Sequence, residues 1–322
     1  MPPPERGFDA MRTPTTYVYG PVPSRRLGRS LGVDLVPFKT CTYDCVYCQL
    51  GPTTNRTLRR EAYVPTDTVV PQVQERLAGL AAPPDYITLA GSGEPTLHSD
   101  LGRLVSELKR CTGVPVAVLT NGSLLSESAV ADALAEADLV VPSLDAGNAA
   151  LWQYVNRPHP DLSFEKMMTG LAAFTAAFTG KVWLEVMLLS GVTGMESEVR
   201  CIADRATGLG LDRVQLNTAV RPAAESFALP VTRERLEDLA GLFNPPADVV
   251  ADFREPAAQE GAATPDDVLD LLFRRPCSAK DVADGLGIRP NEALKLIDEL
   301  TGAGRAEAVR RDTGVFYKAV EE

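Results

Sequence analysis

The chain has 322 residues, 45% of them hydrophobic and 23% charged, a globular composition sufficient for one large domain and a small one. No run of eighteen apolar residues occurs, which excludes a membrane-spanning helix. The opening Met1-Pro2-Pro3-Pro4-Glu5 lacks the order of a signal peptide, so a cytoplasmic protein is expected. The net charge of −11 argues against a general nucleic-acid coat, yet residues 1–60 hold nine basic against four acidic side chains, leaving −16 elsewhere.

Residues 1–30 read as a basic extension that carries Arg25, Arg26 and Arg29. Leu31 to Pro37 is the first expected strand, and it runs directly into a cysteine-rich loop. Tyr86 to Leu89 is a short apolar run ending at Gly91-Ser92-Gly93. Leu101, Leu104, Val105 and Leu108 then recur at helical spacing. Strands are expected at Val114–Leu119, Leu139–Leu144, Lys181–Leu189 and Arg213–Asn217, and helices at Ser126–Ala135, Phe164–Phe178, Glu196–Leu209 and Arg233–Phe243.

Six strands alternating with helices define an α/β protein with a parallel sheet. Over residues 1–245 the count suits a partial (β/α)6 TIM-like barrel. A Rossmann-type sheet is the structural alternative, but no G-x-G-x-x-G follows the first strand. In such barrels sites gather at the C-terminal strand ends, where the polar and glycine-rich signals of this chain fall. Residues 246–263 read as a linker. Residues 264–322 read as a winged-helix-like domain, with helices at 265–274, 278–285 and 291–301 and a hairpin around Asp312-Thr313-Gly314. Its third helix sets Lys295 against Glu292, Asp298 and Glu299, which argues against DNA reading through that face.

Cys41-Thr42-Tyr43-Asp44-Cys45-Val46-Tyr47-Cys48 is a C-x3-C-x2-C loop. Three soft thiolates in one tight loop suit an iron–sulfur cluster or zinc. Zinc wants a fourth ligand, and the two histidines, His98 and His159, are not in ligand spacing. A cubane cluster on three cysteines leaves one iron open to a small molecule. Two other classes stay open at this point: a zinc-binding regulatory protein with a DNA-binding module, and an electron-transfer iron–sulfur protein. Cys111, Cys201 and Cys277 stand singly beside apolar residues and are expected as buried small hydrophobes.

The loop spacing, with aromatic Tyr47 just before the last cysteine, resembles that of the radical S-adenosylmethionine superfamily. Gly91-Ser92-Gly93-Glu94-Pro95 is similar to the family's glycine-glycine-glutamate-proline segment, with Ser92 as the departure. The resemblance implies a radical SAM barrel with a [4Fe–4S] cluster on Cys41, Cys45 and Cys48. It implies S-adenosyl-L-methionine held by Tyr47, Gly93, Glu94, Pro95, Asn121, Asp145, Glu185 and Asn217. The implied activity is reductive cleavage of that cofactor to a 5′-deoxyadenosyl radical, fed by a reductant protein such as a flavodoxin or ferredoxin. Arg25, Arg26, Arg29 and Arg221 are expected to fork onto a substrate anion, RNA being one source. The segments 19–32 and 214–222 resemble iron–sulfur oxidoreductases grouped with the wyosine-forming tRNA enzymes. The archaeal wyosine enzymes are expected to hold a second cluster on earlier cysteines, and no cysteine precedes Cys41, so only the broad grouping carries over.

Overall fold

A computed structural model of the protein describes residues 16–24, 26–250, 263–311 and 314–320. Its main sheet contains β1 (Val18–Ser24) and β2 (Gly28–Val33), which form an antiparallel hairpin. The cysteine loop follows, where β3 (Thr40–Cys41) bridges β4 (Asn55–Arg56) in a two-residue parallel pair. Five βα repeats come next: β5 (Tyr86–Leu89), β6 (Val116–Thr120), β7 (Leu139–Pro142), β8 (Lys181–Leu188) and β9 (Arg213–Thr218). Short β10 (Asp248–Val249) ends the sheet, whose order is β1-β2-β5-β6-β7-β8-β9-β10. From β2 to β10 every pairing is parallel.

The strands bury alternate residues on two faces. Leu31, Val33, Ile87, Leu89, Val118, Val140, Leu184 and Leu216 join the large outer core under the helices. The alternate positions face the lumen. Toward its N-terminal end the lumen is apolar: Leu27 packs with Ala117, Leu139, Val141 and Trp183. Tyr86 meets Trp183 edge-on at 6.4 Å, and the Arg213 guanidinium lies over that indole. The turn of the β1–β2 hairpin therefore stoppers one end of the barrel. Toward the other end the lining turns polar.

The expected helices appear as α2 (Leu101–Cys111), α3 (Ser128–Leu134), α5 (Phe164–Ala177), α6 (Glu196–Ala206) and α7 (Arg233–Ala240). Two more are present. α1 (Thr66–Ala78) contains Pro71, which masked its periodicity, and buries Val69 and Val73. α4 (Ala149–Asn156) is only eight residues long and is capped by Asn148, whose side chain accepts from the Leu151 N–H at 2.9 Å.

Three further departures have physical reasons. Residues 18–24, expected within a basic extension, form an edge strand, where a proline without an N–H is tolerated. The strand expected at 31–37 is set earlier, because Asp34 turns away to accept from the Ser92 N–H at 3.0 Å. β10, inside the expected linker, is too short to show an alternation. Of the three scattered cysteines, Cys277 is buried, Cys111 half-buried and Cys201 exposed. Cys201 falls between the buried positions Val199 and Ile202 of α6.

The C-terminal residues form α8 (Pro265–Arg274), α9 (Ala279–Leu286), α10 (Pro290–Gly302) and the antiparallel pair β11 (Ala306–Arg311) and β12 (Gly314–Ala319). Capping boxes on Thr264 and Ser278 start α8 and α9. The core of this unit includes Val22 of β1. A buried ion pair of 3.2 Å joins Arg221, just after β9, to Asp281 of α9.

Candidate active site

A cavity of about 380 Å³ opens at the C-terminal strand ends. Cys41, Cys45 and Cys48 all line it, together with Tyr47, Gly93, Glu94 and Asn121. Each cysteine sulfur has one side-chain N–H donor. Asn121 Nδ2 lies 3.6 Å from Cys41 Sγ, Asn156 Nδ2 lies 3.6 Å from Cys45 Sγ, and Lys39 Nζ lies 3.2 Å from Cys48 Sγ. Such donors favour thiolate over thiol. Without a metal, burial wins: it pushes Cys45 up and Cys41 up to about 12. A metal would have to compensate for that burial, since only thiolates ligate.

The loop is zipped to the turn after β5. The Lys39 N–H donates to the Ser92 carbonyl at 2.7 Å, and the Glu94 N–H donates to the Thr40 carbonyl at 3.1 Å. A Cβ on Gly93 would stand 1.8 Å from the Thr40 carbonyl oxygen, so only glycine permits this approach. Gly93→Ala is expected to cost about 3 kcal/mol, because two backbones rather than a flexible side chain must part. A urea midpoint unchanged from wild type would refute that reading of the turn.

Glu94 is buried, and both of its oxygens accept hydrogen bonds. Its Oε1 accepts from the Thr96 N–H at 3.1 Å, Thr96 Oγ1 at 2.6 Å and Thr120 Oγ1 at 2.6 Å, while Oε2 accepts only the Asn121 N–H at 2.7 Å. Burial raises the Glu94 pKa, and the hydrogen bonds from Thr120 and Thr96 oppose it. Oε2 keeps one lone pair for an incoming donor. Asn121 also donates to Thr42 Oγ1 at 2.7 Å, which ties β6 to the cysteine loop.

Residues 35–199 match the family described as the Radical SAM superfamily. The chain belongs to the radical SAM superfamily. It is 32% identical over 309 residues to the UPF0026 protein MJ1312 of Methanocaldococcus jannaschii, covering 94% of this chain and 95% of that one. It is 36% identical over 297 residues to a Brachyspira hyodysenteriae protein named GTPase Obg. That match covers 90% of this chain but spans 43% of the relative. The crystal structure of a radical SAM methyltransferase from Sphaerobacter thermophilus shares the fold, with a TM-score of 0.52 and 20% identity over 68% of this chain and 65% of that one.

Membership implies a [4Fe–4S] cluster and S-adenosylmethionine, and the residues of this radical SAM protein fit them. The donor set is three cysteine sulfurs, each sulfur has its N–H, and a cavity of about 380 Å³ lies beside them. Among the described residues no three His, Cys, Asp or Glu side chains are arranged to hold a single metal ion. No described helix is long and apolar enough to cross a membrane.

The other predicted residues separate. Pro95 is buried in the short turn behind Glu94. Asp145 lies behind Tyr47, accepting a hydrogen bond from the Tyr47 hydroxyl, one from Asn156 Nδ2 at 2.8 Å and one from the Met187 N–H at 2.9 Å. Burial raises its pKa to about 6. Asp145 thus braces the Tyr47 ring of this radical SAM protein from behind. Glu185 and Asn217 face the lumen: Asn217 Nδ2 donates to Glu185 Oε1 at 2.8 Å, and Arg26 pairs with Oε2. Arg221 lines the cavity but is paired with Asp281. Arg29 stands near the N-terminal end of β2, its guanidinium donating to the Ala82 carbonyl at 3.4 Å, and does not line the cavity. Arg25 lies outside the described residues. His98 is buried just after the Glu94 turn and lines no part of the cavity.

Proposed function

We propose that the protein is a radical S-adenosylmethionine enzyme acting on an anionic substrate. One observation carries this reading: three thiols, each with its own N–H donor, share a single cavity with the Gly91–Glu94 turn. When bound and reduced, a [4Fe–4S] cluster would supply the one electron for carbon–sulfur cleavage of S-adenosylmethionine, with methionine as the leaving group and the deoxyadenosyl fragment able to take a hydrogen atom from substrate. Cys41, Cys45 and Cys48 would hold the cluster. The free lone pair of Glu94 Oε2 would accept from the cofactor's ammonium. Asp145 and Asn156 fix Tyr47 at the cavity wall, and Leu27 excludes water from the far end of the lumen. A flavodoxin or ferredoxin is the proposed electron donor.

The test is anaerobic reconstitution with iron and sulfide, followed by dithionite. Dithionite-dependent release of 5′-deoxyadenosine from S-adenosylmethionine is the expected result. A brown protein that releases none would instead be an electron carrier. A colourless protein holding about one zinc per chain would return the loop to a structural role.

A further inference from the structure

The C-terminal unit reaches the cluster cavity. Arg274, the last residue of α8, and Arg275 after it line the same cavity as the three cysteines. Neither has an ion pair among the described residues. The Arg274 guanidinium lies 4.1 Å over the ring of Tyr19, which fixes its place. Its Nε is buried without a hydrogen-bond partner. Tyr19 itself lies over Gly32, where a Cβ would meet the ring at 2.1 Å. The Arg275 side chain hydrogen-bonds to the Cys277 thiol, which uses one of its five N–H donors.

Asp34, and Asp270 one turn earlier on α8, both feel the charge of Arg274 without forming an ion pair with it. Asp281 is paired with Arg221, and Asp34 accepts from the backbone and hydroxyl of Ser92. Burial, and then the nearby Arg275 charge, lower Arg221 to about 10, while its partner Asp281 pulls the other way. Two guanidinium groups that line one cavity without ion pairs among the described residues match a ligand with close to two negative charges and several acceptor oxygens. A phosphate monoester has both, whereas a carboxylate brings one charge.

We propose that Arg274 and Arg275 bind a phosphate group of a small substrate beside the cluster, so that the C-terminal unit completes the substrate site. This rests on the radical-enzyme reading above for its meaning but not for its test. The probe is inorganic phosphate, titrated calorimetrically into reconstituted protein with and without saturating S-adenosylmethionine. The wild-type protein should bind phosphate while the cofactor is bound. Arg275→Gln should weaken that binding about tenfold or more, as loss of a charge-assisted bond does, and Arg275→Lys should weaken it less. Arg275 carries no ion pair among the described residues, and Arg275→Lys keeps a donor for the Cys277 thiol, so its variants keep the test sound even where Arg274→Gln disturbs Tyr19.

No phosphate binding by the wild type, or equal binding by Arg275→Gln, overturns the proposal. So does displacement of phosphate by S-adenosylmethionine, which would assign the arginines to the cofactor's carboxylate. Binding of single-stranded RNA without binding of free phosphate also overturns it. Arginine-dependent phosphate binding in a protein that releases no 5′-deoxyadenosine would sink the radical reading and leave this site standing.

Discussion

Replacing Cys45 by alanine should leave a folded chain that takes up neither iron nor sulfide and releases 5′-deoxyadenosine only at background. The separation of fold from chemistry follows from how the thiol is held. Asn156 Nδ2, its donor, also reaches the Tyr47 hydroxyl at 3.1 Å and Asp145 Oδ2 at 2.8 Å, so losing the sulfur orphans nothing. The same holds at the other two positions. Asn121 Nδ2 keeps Thr42 Oγ1, and Lys39 Nζ keeps the Gly51 carbonyl. What remains is a small cavity, costing about 1 kcal/mol in the metal-free protein. Metal content, visible absorbance and a denaturant midpoint measured on each single variant check this. A Cys45→Ala protein that still cleaves the cofactor would remove the loop from the active site.

The second large effect is expected at Glu94. Every group that contacts its carboxylate is a donor: two backbone N–H groups and two hydroxyls. Glutamine keeps the shape but presents one NH2. Turned toward Asn121 it faces the Asn121 N–H, and turned the other way it faces the Thr96 N–H, although the two hydroxyls there can accept. No rotamer satisfies both ends, so Glu94→Gln is expected to cost about 3 kcal/mol, although it removes only a charge and no volume. Because the Asn121 N–H and the Thr40–Glu94 hydrogen bond share this turn, cluster loading should fall with it. Glu94→Asp is a poor rescue, since one methylene fewer withdraws both oxygens. Urea unfolding and iron content of the three proteins decide the matter, and a fully stable Glu94→Gln would show that the carboxylate is not ionised there.

Much of this site was legible in the sequence because it is local. The cysteines lie within eight residues, and Gly93-Glu94 and Asn121 sit at the ends of strands with clear β-branched patterns. The parallel alternation placed those ends at one pole. Residues that act across the fold were not legible. Asn156 ends a helix too short to show a period, yet it touches Cys45, Tyr47 and Asp145 together. Lys39 carried no sequence signal of its own, but its positive φ of 59° and its bond to Cys48 give it a particular place. Arg29 was grouped with Arg26 by proximity in sequence, but Arg26 lies in the turn before β2 and pairs with Glu185, whereas Arg29 on β2 donates to the Ala82 carbonyl. Arg274 and Arg275 lie more than two hundred residues from the cysteines, and only the docking of α8 and α9 on β1 brings them near.

The hairpin turn that buries Leu27 gives the lumen the character of a blind alley. Traffic through a blind alley is last in, first out. The deepest occupant has to arrive before anything that sits nearer the mouth, and it leaves only after that neighbour has gone. With the cysteines, the Glu94 turn and the two C-terminal arginines all lining this one cavity, two ligands that share it would have to queue, and steady-state kinetics would read that queue as ordered rather than random addition.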